Sequence, residues 1–232
     1  MESNEYTKKF IMINKSFMDD IEEYTHREKF VYTILSALRN DLTMTSVISV
    51  DILANLLGLS LHTKNRTAIK ELLISMEEKG LIKLYEDITA SNPIEAKDIK
   101  VNGVYAIITC DLDTDDNTFS IVELEYLQKF INMDEKGKEL YFSIYMYIIK
   151  HLFNGDSNRK YAFPTIDNIG KDTGINRKTV MKYIDVMRDQ CILYYETVKI
   201  GANKDKNLYG KWHNKNEVSD AIRRIESGEE IF

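Results

Sequence analysis

The sequence predicts a mostly helical α+β fold, built from two similar units in tandem that each end in a small β-hairpin. Three observations support this prediction. Two segments resemble each other at an offset of 111 residues, without a gap. In both segments the apolar residues recur at the spacing of one buried helix face. The chain of 232 residues contains only 2 Pro and 10 Gly, which favours helices over elaborate loops.

The repeat is clearest in the third helix predicted for each unit. NRTAIKELLISMEEKGLI, from Asn65, aligns with NRKTVMKYIDVMRDQCIL, from Asn176. Apolar residues occur at i, i+3, i+4 and i+7 in both segments, which predicts an amphipathic helix with one buried face. The residues predicted to be buried are Ile69, Leu72, Leu73 and Met76 in the first copy and Val180, Tyr183, Ile184 and Met187 in the second.

Two more helices are predicted upstream of each third helix. REKFVYTILSALRN and KELYFSIYMYIIKH carry the apolar stripe of a first helix. SVDILANLLGLS and PTIDNIGKDTGIN predict a second, short helix, which ends near Gly58 or Gly174 because glycine readily adopts the left-handed conformation past a helix C-terminus. A short apolar segment precedes each first helix, FIMIN in one unit and FSIV in the other.

A β-hairpin is predicted after each third helix. The strands are LIKLYEDI and KVNGVYAIITCDL in the first unit and ILYYETVKI and NLYGKWH in the second. A final helix, NEVSDAIRRIESG, can dock through Ala221, Ile222 and Ile225. We therefore predict a first domain at residues 1–112, a second at 113–215 and a C-terminal helix at 216–232, with the acidic segment DLDTDDN as the linker.

The segment FPTIDNIGKDTGINRKTVMKYIDVMRDQCILYY resembles the winged helix-turn-helix family of DNA-binding domains. It contains a short helix, a glycine turn, a capped third helix with a basic start, and a strand, in the order of that family. Two such units in one chain look like the plasmid and phage replication initiators with tandem winged-helix domains, although transcription regulators also contain them. The resemblance implies that the second unit makes most of the specific DNA contact and that the first mediates dimerisation.

The charge is distributed unevenly along the chain. The net charge is −6, but residues 150–215 have a balance of +6, residues 1–149 of −9 and residues 216–232 of −3. An acidic total is therefore compatible with a polyanionic partner for the second unit.

The third helix of the second unit supplies the main candidate DNA contacts. Asn176 is predicted to cap it, and Arg177, Lys178 and Lys182 are predicted to face outward near its start. Arg177 can bond to a guanine, the lysines to phosphates, and Thr179 to a phosphate or a thymine methyl group. The alternative interpretation is an ordinary solvated helix face.

The hairpin turn and the first unit supply further candidates. Lys204 and Lys206 flank the turn of the second hairpin, which can follow a phosphate backbone or can be a solvated tip. Arg66 and Lys70 lie on the third helix of the first unit, but Glu71 occupies the position of Lys182. Because acid near phosphate lowers affinity, a weaker DNA contact or a protein contact is expected there.

The sequence lacks familiar enzyme signatures. No phosphate-binding loop, HExxH or CxxC motif is present, and the four His have no metal-ligand spacing, so no catalytic residue, metal or cofactor is expected. MESNEYTKKF has no long apolar run, so we expect a cytoplasmic protein without a membrane partner.

Two functions of different kinds remain open. The first is sequence-specific binding of double-stranded DNA by a homodimer that acts in plasmid or phage replication or in transcription regulation, with the corresponding machinery as a further partner. The second is a protein-interaction module, such as a replisome adaptor or a phage inhibitor of a host factor, that binds no DNA. The acidic first unit and tail favour the second, because such a surface suits a basic partner.

Overall fold

The computed structural model describes residues 10–112, 118–152, 160–200 and 204–229, with the backbone alone at Ile200 and Lys204. The protein is 50% helical and 19% strand, with small antiparallel sheets, which confirms the α+β class. Two compact units are present. The N-terminal unit comprises the chain up to Phe17 and Tyr24–Glu139, and the C-terminal unit comprises Met18–Glu23 and the chain from Leu140 onward.

The first part of the chain alternates helices with short strands. Its elements are β1 (Phe10–Asn14), α1 (Lys15–Asp19), α2 (His26–Leu38), β2 (Ser46–Ile48), α3 (Val50–Leu56), α4 (Thr63–Glu78), β3 (Ile82–Tyr85), β4 (Pro93–Ile94), β5 (Tyr105–Thr109), β6 (Phe119–Glu123) and α5 (Leu124–Asn132). One antiparallel sheet has the strand order β2-β5-β3-β4, and β1 pairs with β6 in a separate ribbon. The predicted hairpin strands β3 and β5 are paired, whereas β2, β4 and α5 had no counterpart in the prediction.

The buried side chain of Glu28 fastens the start of α2 to the end of α4. Its carboxylate accepts the N–H of Thr25 at 2.7 Å, and Thr25 Oγ1 accepts the N–H of Glu28 at 3.2 Å, which completes a capping box. The same carboxylate accepts hydrogen bonds from Ser75 Oγ at 2.7 Å and from Lys79 Nζ at 2.9 Å. Glu28 is 1% exposed, so these donors replace the water that a buried carboxylate loses.

The rest of the chain contains a helix trio, a hairpin and a closing helix. Its elements are α6 (Lys138–Ile149), α7 (Ile166–Thr173), α8 (Arg177–Asp189), β7 (Leu193–Ile200), β8 (Lys204–Lys211) and α9 (Lys215–Glu226). β7 and β8 form an antiparallel hairpin, and α9 packs on it through Val218, Ala221 and Ile222 against Val198 and Leu208. The predicted docking of the final helix is confirmed.

The division between the units differs from the predicted domain boundary. It follows Glu139 rather than residue 112. The reason is that β6 pairs with β1 along its length, from Phe10 opposite Glu123 to Asn14 opposite Phe119, so the chain just after the predicted linker stays in the N-terminal unit. The final helix likewise belongs to the C-terminal unit and is not a separate segment. Residues 113–117 of the predicted linker lie outside the described residues.

The third helices α4 and α8 bury nearly all the positions that the repeat predicts. Only Tyr183 is half buried, and its ring stacks on that of Tyr141, with centroids 3.7 Å apart. Asn65, the counterpart of Asn176, lies within α4, since this helix begins two residues earlier, at Thr63. The Asn65 amide donates to the carbonyl oxygen of Ser60 at 2.8 Å. No helix in the described ranges is both long and apolar enough to cross a membrane.

The second residue after each third helix predicts a difference in stability between two substitutions. Gly80 and Cys191 align in the repeat, and both are left-handed, with φ of 69° and 55°. This conformation costs a residue with a Cβ atom about 1–2 kcal/mol. Cys191→Gly is therefore expected to raise the free energy of unfolding of the C-terminal unit by up to about 1 kcal/mol, after allowance for the greater unfolded-state entropy of glycine and for the lost contacts of the half-buried thiol. Urea denaturation measures the change.

The matched control is Gly80→Ala, which is expected to lower the free energy of unfolding. A Cβ added at Gly80 meets no atom within 4 Å, so Gly80→Ala introduces only backbone strain. A loss of about 1 kcal/mol is expected in the N-terminal unit. A loss of stability in Cys191→Gly would contradict the account.

Candidate nucleic-acid interface

The turn between α7 and α8 sets the direction of α8. Thr165 Oγ1 accepts the N–H of Asn168 at 3.1 Å and starts α7, and Gly174 ends it with a φ of 69°. Gly170 permits a close approach, because an added Cβ would lie 2.9 Å from the carbonyl oxygen of Ile175. Gly170 was not among the residues predicted to shape the site, although an isolated glycine within a helical pattern is a signal for such a position.

The outward face of α8 is basic at its N-terminal end. Asn176 Oδ1 accepts the N–H of Thr179 at 3.0 Å, so the predicted cap is confirmed. Lys178, Met181 and Lys182 are exposed on this face, and Thr179 is half buried. Lys178 and Lys182 form no ion pair with any described residue, so both ammonium groups are available to an anion.

Arg177 is the first residue of α8 and forms an ion pair with Asp167 in the first turn of α7. The guanidinium side chain is 59% exposed and its partner 73% exposed. An ion pair this open to water is weak and is readily exchanged for another anion. Arg177 is therefore positioned beside the two lysines, but it reaches an external anion only by leaving Asp167.

The same ion pair recurs in the N-terminal unit in a tighter form. Nε and Nη2 of Arg66 each donate to an oxygen of Asp51 at 2.7 Å, and both side chains are about 30% exposed. The hydrogen bond from Arg66 lowers the pKa of Asp51. This pair was not predicted, although an Asp two residues after the cap of the second helix occurs in both copies of the repeat.

Lys70, the second predicted DNA contact on α4, is poorly placed for an external ligand. Lys70 Nζ donates to the carbonyl oxygen of Ile99 at 3.0 Å, and Glu71 is exposed beside it. Two residues of the N-terminal unit, Arg66 and Lys70, were predicted to contact DNA. Both side chains are engaged within that unit. Lys64 is exposed at the start of α4.

The hairpin offers fewer cations than its sequence suggested. Lys206 lies opposite Val198, on the side of the hairpin that α9 covers, because alternate residues of a strand face opposite sides. Its ammonium nitrogen lies 4.1 Å from the centroid of the Phe163 ring, and burial lowers the pKa of Lys206. Lys206 would have to leave this ring to reach a phosphate.

The tip of the hairpin is close to neutral where it is described. Lys199 is exposed but lies directly opposite Asp205. Lys204 begins β8, and its side chain lies outside the described part of the structure. The hairpin base is held to α8, since the Tyr195 hydroxyl donates to Asp185 Oδ1 at 2.7 Å. The hairpin therefore adds little positive charge to the surface of α8, and its main contribution is the shape of the surface beside that helix.

Three features meet at the N-terminal half of α8: an exposed helix face, available lysines and a rigid attachment to the unit's core. An anionic surface that fits this face must reach both Lys178 and Lys182, which lie one turn apart on α8. The successive phosphates of a nucleic-acid backbone meet this requirement. No protein-family model matches the chain, and no curated protein matches it.

Proposed function

We propose that this chain is a tandem winged-helix protein that binds double-stranded DNA through its C-terminal unit. In this proposal α8 enters the major groove, and the β7–β8 hairpin is a wing beside it. The protein acts as a homodimer on repeated or palindromic half-sites, in plasmid or phage replication or in transcription regulation. No catalytic residue and no cofactor take part.

The observation that supports the proposal most strongly is the outward face of α8. Lys178 and Lys182 lie one turn apart and have no internal anion among the described residues, whereas Arg66 and Lys70 of α4 are both engaged internally. The charge balance agrees, because the basic excess of the chain lies in residues 150–215. The N-terminal unit is accordingly assigned to dimerisation or a weaker contact.

The experiment that tests this function is selection of duplexes from a random pool, followed by binding measurements over a range of salt concentrations. A specific duplex is expected to be selected. The logarithm of its affinity is expected to fall linearly with the logarithm of the salt concentration. Direct repeats among the selected sites would indicate replication, and a single palindrome would indicate regulation. The absence of binding at low salt, or affinity that does not change with salt, would exclude the function.

The ion pair at the start of α8 predicts a gain of affinity. Asp167→Ala is expected to strengthen DNA binding severalfold, on the order of three- to tenfold at about 0.1 M salt, because it releases Arg177 and removes an acid from the phosphate-facing side. Fluorescence anisotropy with the selected duplex measures the change.

Asp51→Ala is the matched control for this prediction. It breaks the equivalent ion pair in the N-terminal unit, which is assigned at most a weaker DNA contact, and is expected to raise DNA affinity by less than about twofold. If Asp167→Ala weakened binding instead, Arg177 would position α8 against α7 and would not contact DNA.

A specific observation favours a protein contact as the second function. Of the thirteen exposed large hydrophobic residues among those described, eleven lie in the N-terminal unit. Phe10 and Met12 are 53% and 54% exposed on β1, and they line a cleft of about 660 Å³ with Tyr32 and Arg39. Exposed apolar surface of this kind often marks a protein interface.

One variant of the exposed β1 surface tests the role assigned to the N-terminal unit. Met12→Lys is expected to weaken self-association, measured by sedimentation, and to leave the DNA affinity of each C-terminal unit intact. If the chain binds a discrete host protein and no duplex, the interaction module is favoured and the DNA proposal fails.

A further inference from the structure

Met181 is an unusual residue on the outward face of α8. It is 47% exposed and lies between the available cations Lys178 and Lys182. Among the described residues of the C-terminal unit, the only other exposed large hydrophobic is Ile21. The buried residues of α8 lie on its opposite face, so Met181 adds nothing to the core. Burial of its side chain therefore requires an external surface.

The repeat emphasises this position. The residue of α4 that aligns with Met181 is Lys70, whose ammonium group folds back onto the carbonyl oxygen of Ile99. The N-terminal unit therefore uses the position for an internal contact, and the C-terminal unit leaves it open. Met181 is also one turn after Arg177, in the part of the helix that lies deepest in a groove when such a helix binds DNA.

We propose that Met181 reads thymine, by packing its thioether side chain against the C5 methyl group in the major groove. This inference rests on the proposed function and names a base preference for the same site. The thymine methyl group is the one apolar feature that the major groove presents, and apolar side chains recognise it by contact. Lys178 and Lys182 on either side contact phosphates and hold the helix at the required depth.

The flexible, unbranched side chain of methionine suits this task. It reaches further from the helix than alanine or valine and adapts to the position of a methyl group. Loss of one buried methyl contact corresponds to about a fourfold loss of affinity. A site with one contacted thymine in each half-site of a dimer would lose about sixteenfold if the two contacts are independent.

The test compares thymine with uracil, which differs from it only by the missing methyl group. The selected duplex is synthesised with thymine or with uracil at each thymine position in turn, and wild type and Met181→Ala are titrated with both. For at least one thymine position, wild type is expected to bind the uracil duplex more weakly than the thymine duplex. The expected loss of affinity is about fourfold for each half-site that carries the substitution. Met181→Ala is expected to bind the same two duplexes equally. Leu42→Ala removes an exposed apolar side chain from the N-terminal unit and should keep the wild-type ratio.

The outcomes separate this inference from the proposed function. If wild type binds the selected duplex but shows no difference between thymine and uracil at any position, Met181 does not read thymine and the proposed function still holds. Equal sensitivity to uracil in wild type and Met181→Ala would assign the methyl contact to another residue and would also overturn the inference. If no duplex is selected, both proposals fail. Circular dichroism confirms that Met181→Ala retains its helical content.

Discussion

Replacement of both Lys178 and Lys182 by glutamate is expected to lower the affinity for duplex DNA by about two orders of magnitude at 0.1 M salt. Each lost phosphate contact removes about 0.9 from the slope of log affinity against log salt, so the slope should decrease by about 2. The two side chains are exposed and free of ion pairs among the described residues, so the fold should be retained. Anisotropy titrations over a range of salt concentrations measure both quantities.

The control applies the same change of charge to another surface. Lys83 and Lys100 are exposed in the N-terminal unit, and their replacement by glutamate alters the net charge of the chain equally. The affinity of this variant for duplex DNA is expected to fall less than about fivefold, because only the overall electrostatic field of the chain changes. Equal losses in the two variants would show that total charge, and not the face of α8, determines binding.

Replacement of Glu28 by alanine is expected to destabilise the N-terminal unit by about 2–4 kcal/mol. The variant loses the capping box at Thr25, loses buried hydrogen bonds and leaves Lys79 without its anion. Urea denaturation measures the free energy of unfolding. Glu78→Ala is the matched control, because Glu78 is exposed near the end of α4, and its effect should stay within about 0.5 kcal/mol. Equal effects would contradict a structural role for the Glu28 cluster.

The same cluster predicts a dependence on pH. Burial alone would raise the pKa of Glu28, but the hydrogen bonds from Lys79, Ser75 and Thr25 lower it below the usual value of 4.5. A lowered folded-state pKa gives stability that is present above about pH 4.5 and is lost as the pH falls through the folded pKa. In Lys79→Met one of these hydrogen bonds is lost, so the pKa of Glu28 rises relative to wild type and the ionised carboxylate contributes less stability.

The measurement is the difference in unfolding free energy between wild type and Lys79→Met at several pH values. That difference is expected to grow as the pH rises through the folded-state pKa values of Glu28 in the two proteins, because wild type holds the ionised carboxylate more favourably than the variant does. A difference that stays constant over this range would show that Glu28 and Lys79 are not coupled.

Much of the fold could be predicted because its signals are local. The apolar spacing in α4 and α8, the glycines after α3 and α7, and the alternation in β7 and β8 each act over a few residues. The pairing of β1 with β6 could not be predicted in this way, since Phe10 and Glu123 are distant in sequence. In the repeat, each of these strands precedes the first helix of a different predicted unit. That long-range pairing is also why the division between the two units follows Glu139 and not residue 112.

The candidate site was predictable as a helix face but not as a set of partners. The cap at Asn176 and the exposure of Lys178 and Lys182 follow from helix geometry. The engagement of Lys70 by Ile99 and of Lys206 by Phe163 depends on side chains that pack together from separate elements. Residue type and helical position alone do not determine whether a lysine meets water, a carbonyl group or an aromatic ring.

The most direct test of the central claim is lysine acetylation of the chain, measured by mass spectrometry with and without the selected duplex. The account predicts that DNA protects Lys178 and Lys182 strongly, while Lys83 and Lys100 of the same molecules react at unchanged rates. Protection of Lys64 alone, or equal reactivity of Lys178 and Lys182 in the two states, would contradict DNA binding by the outward face of α8.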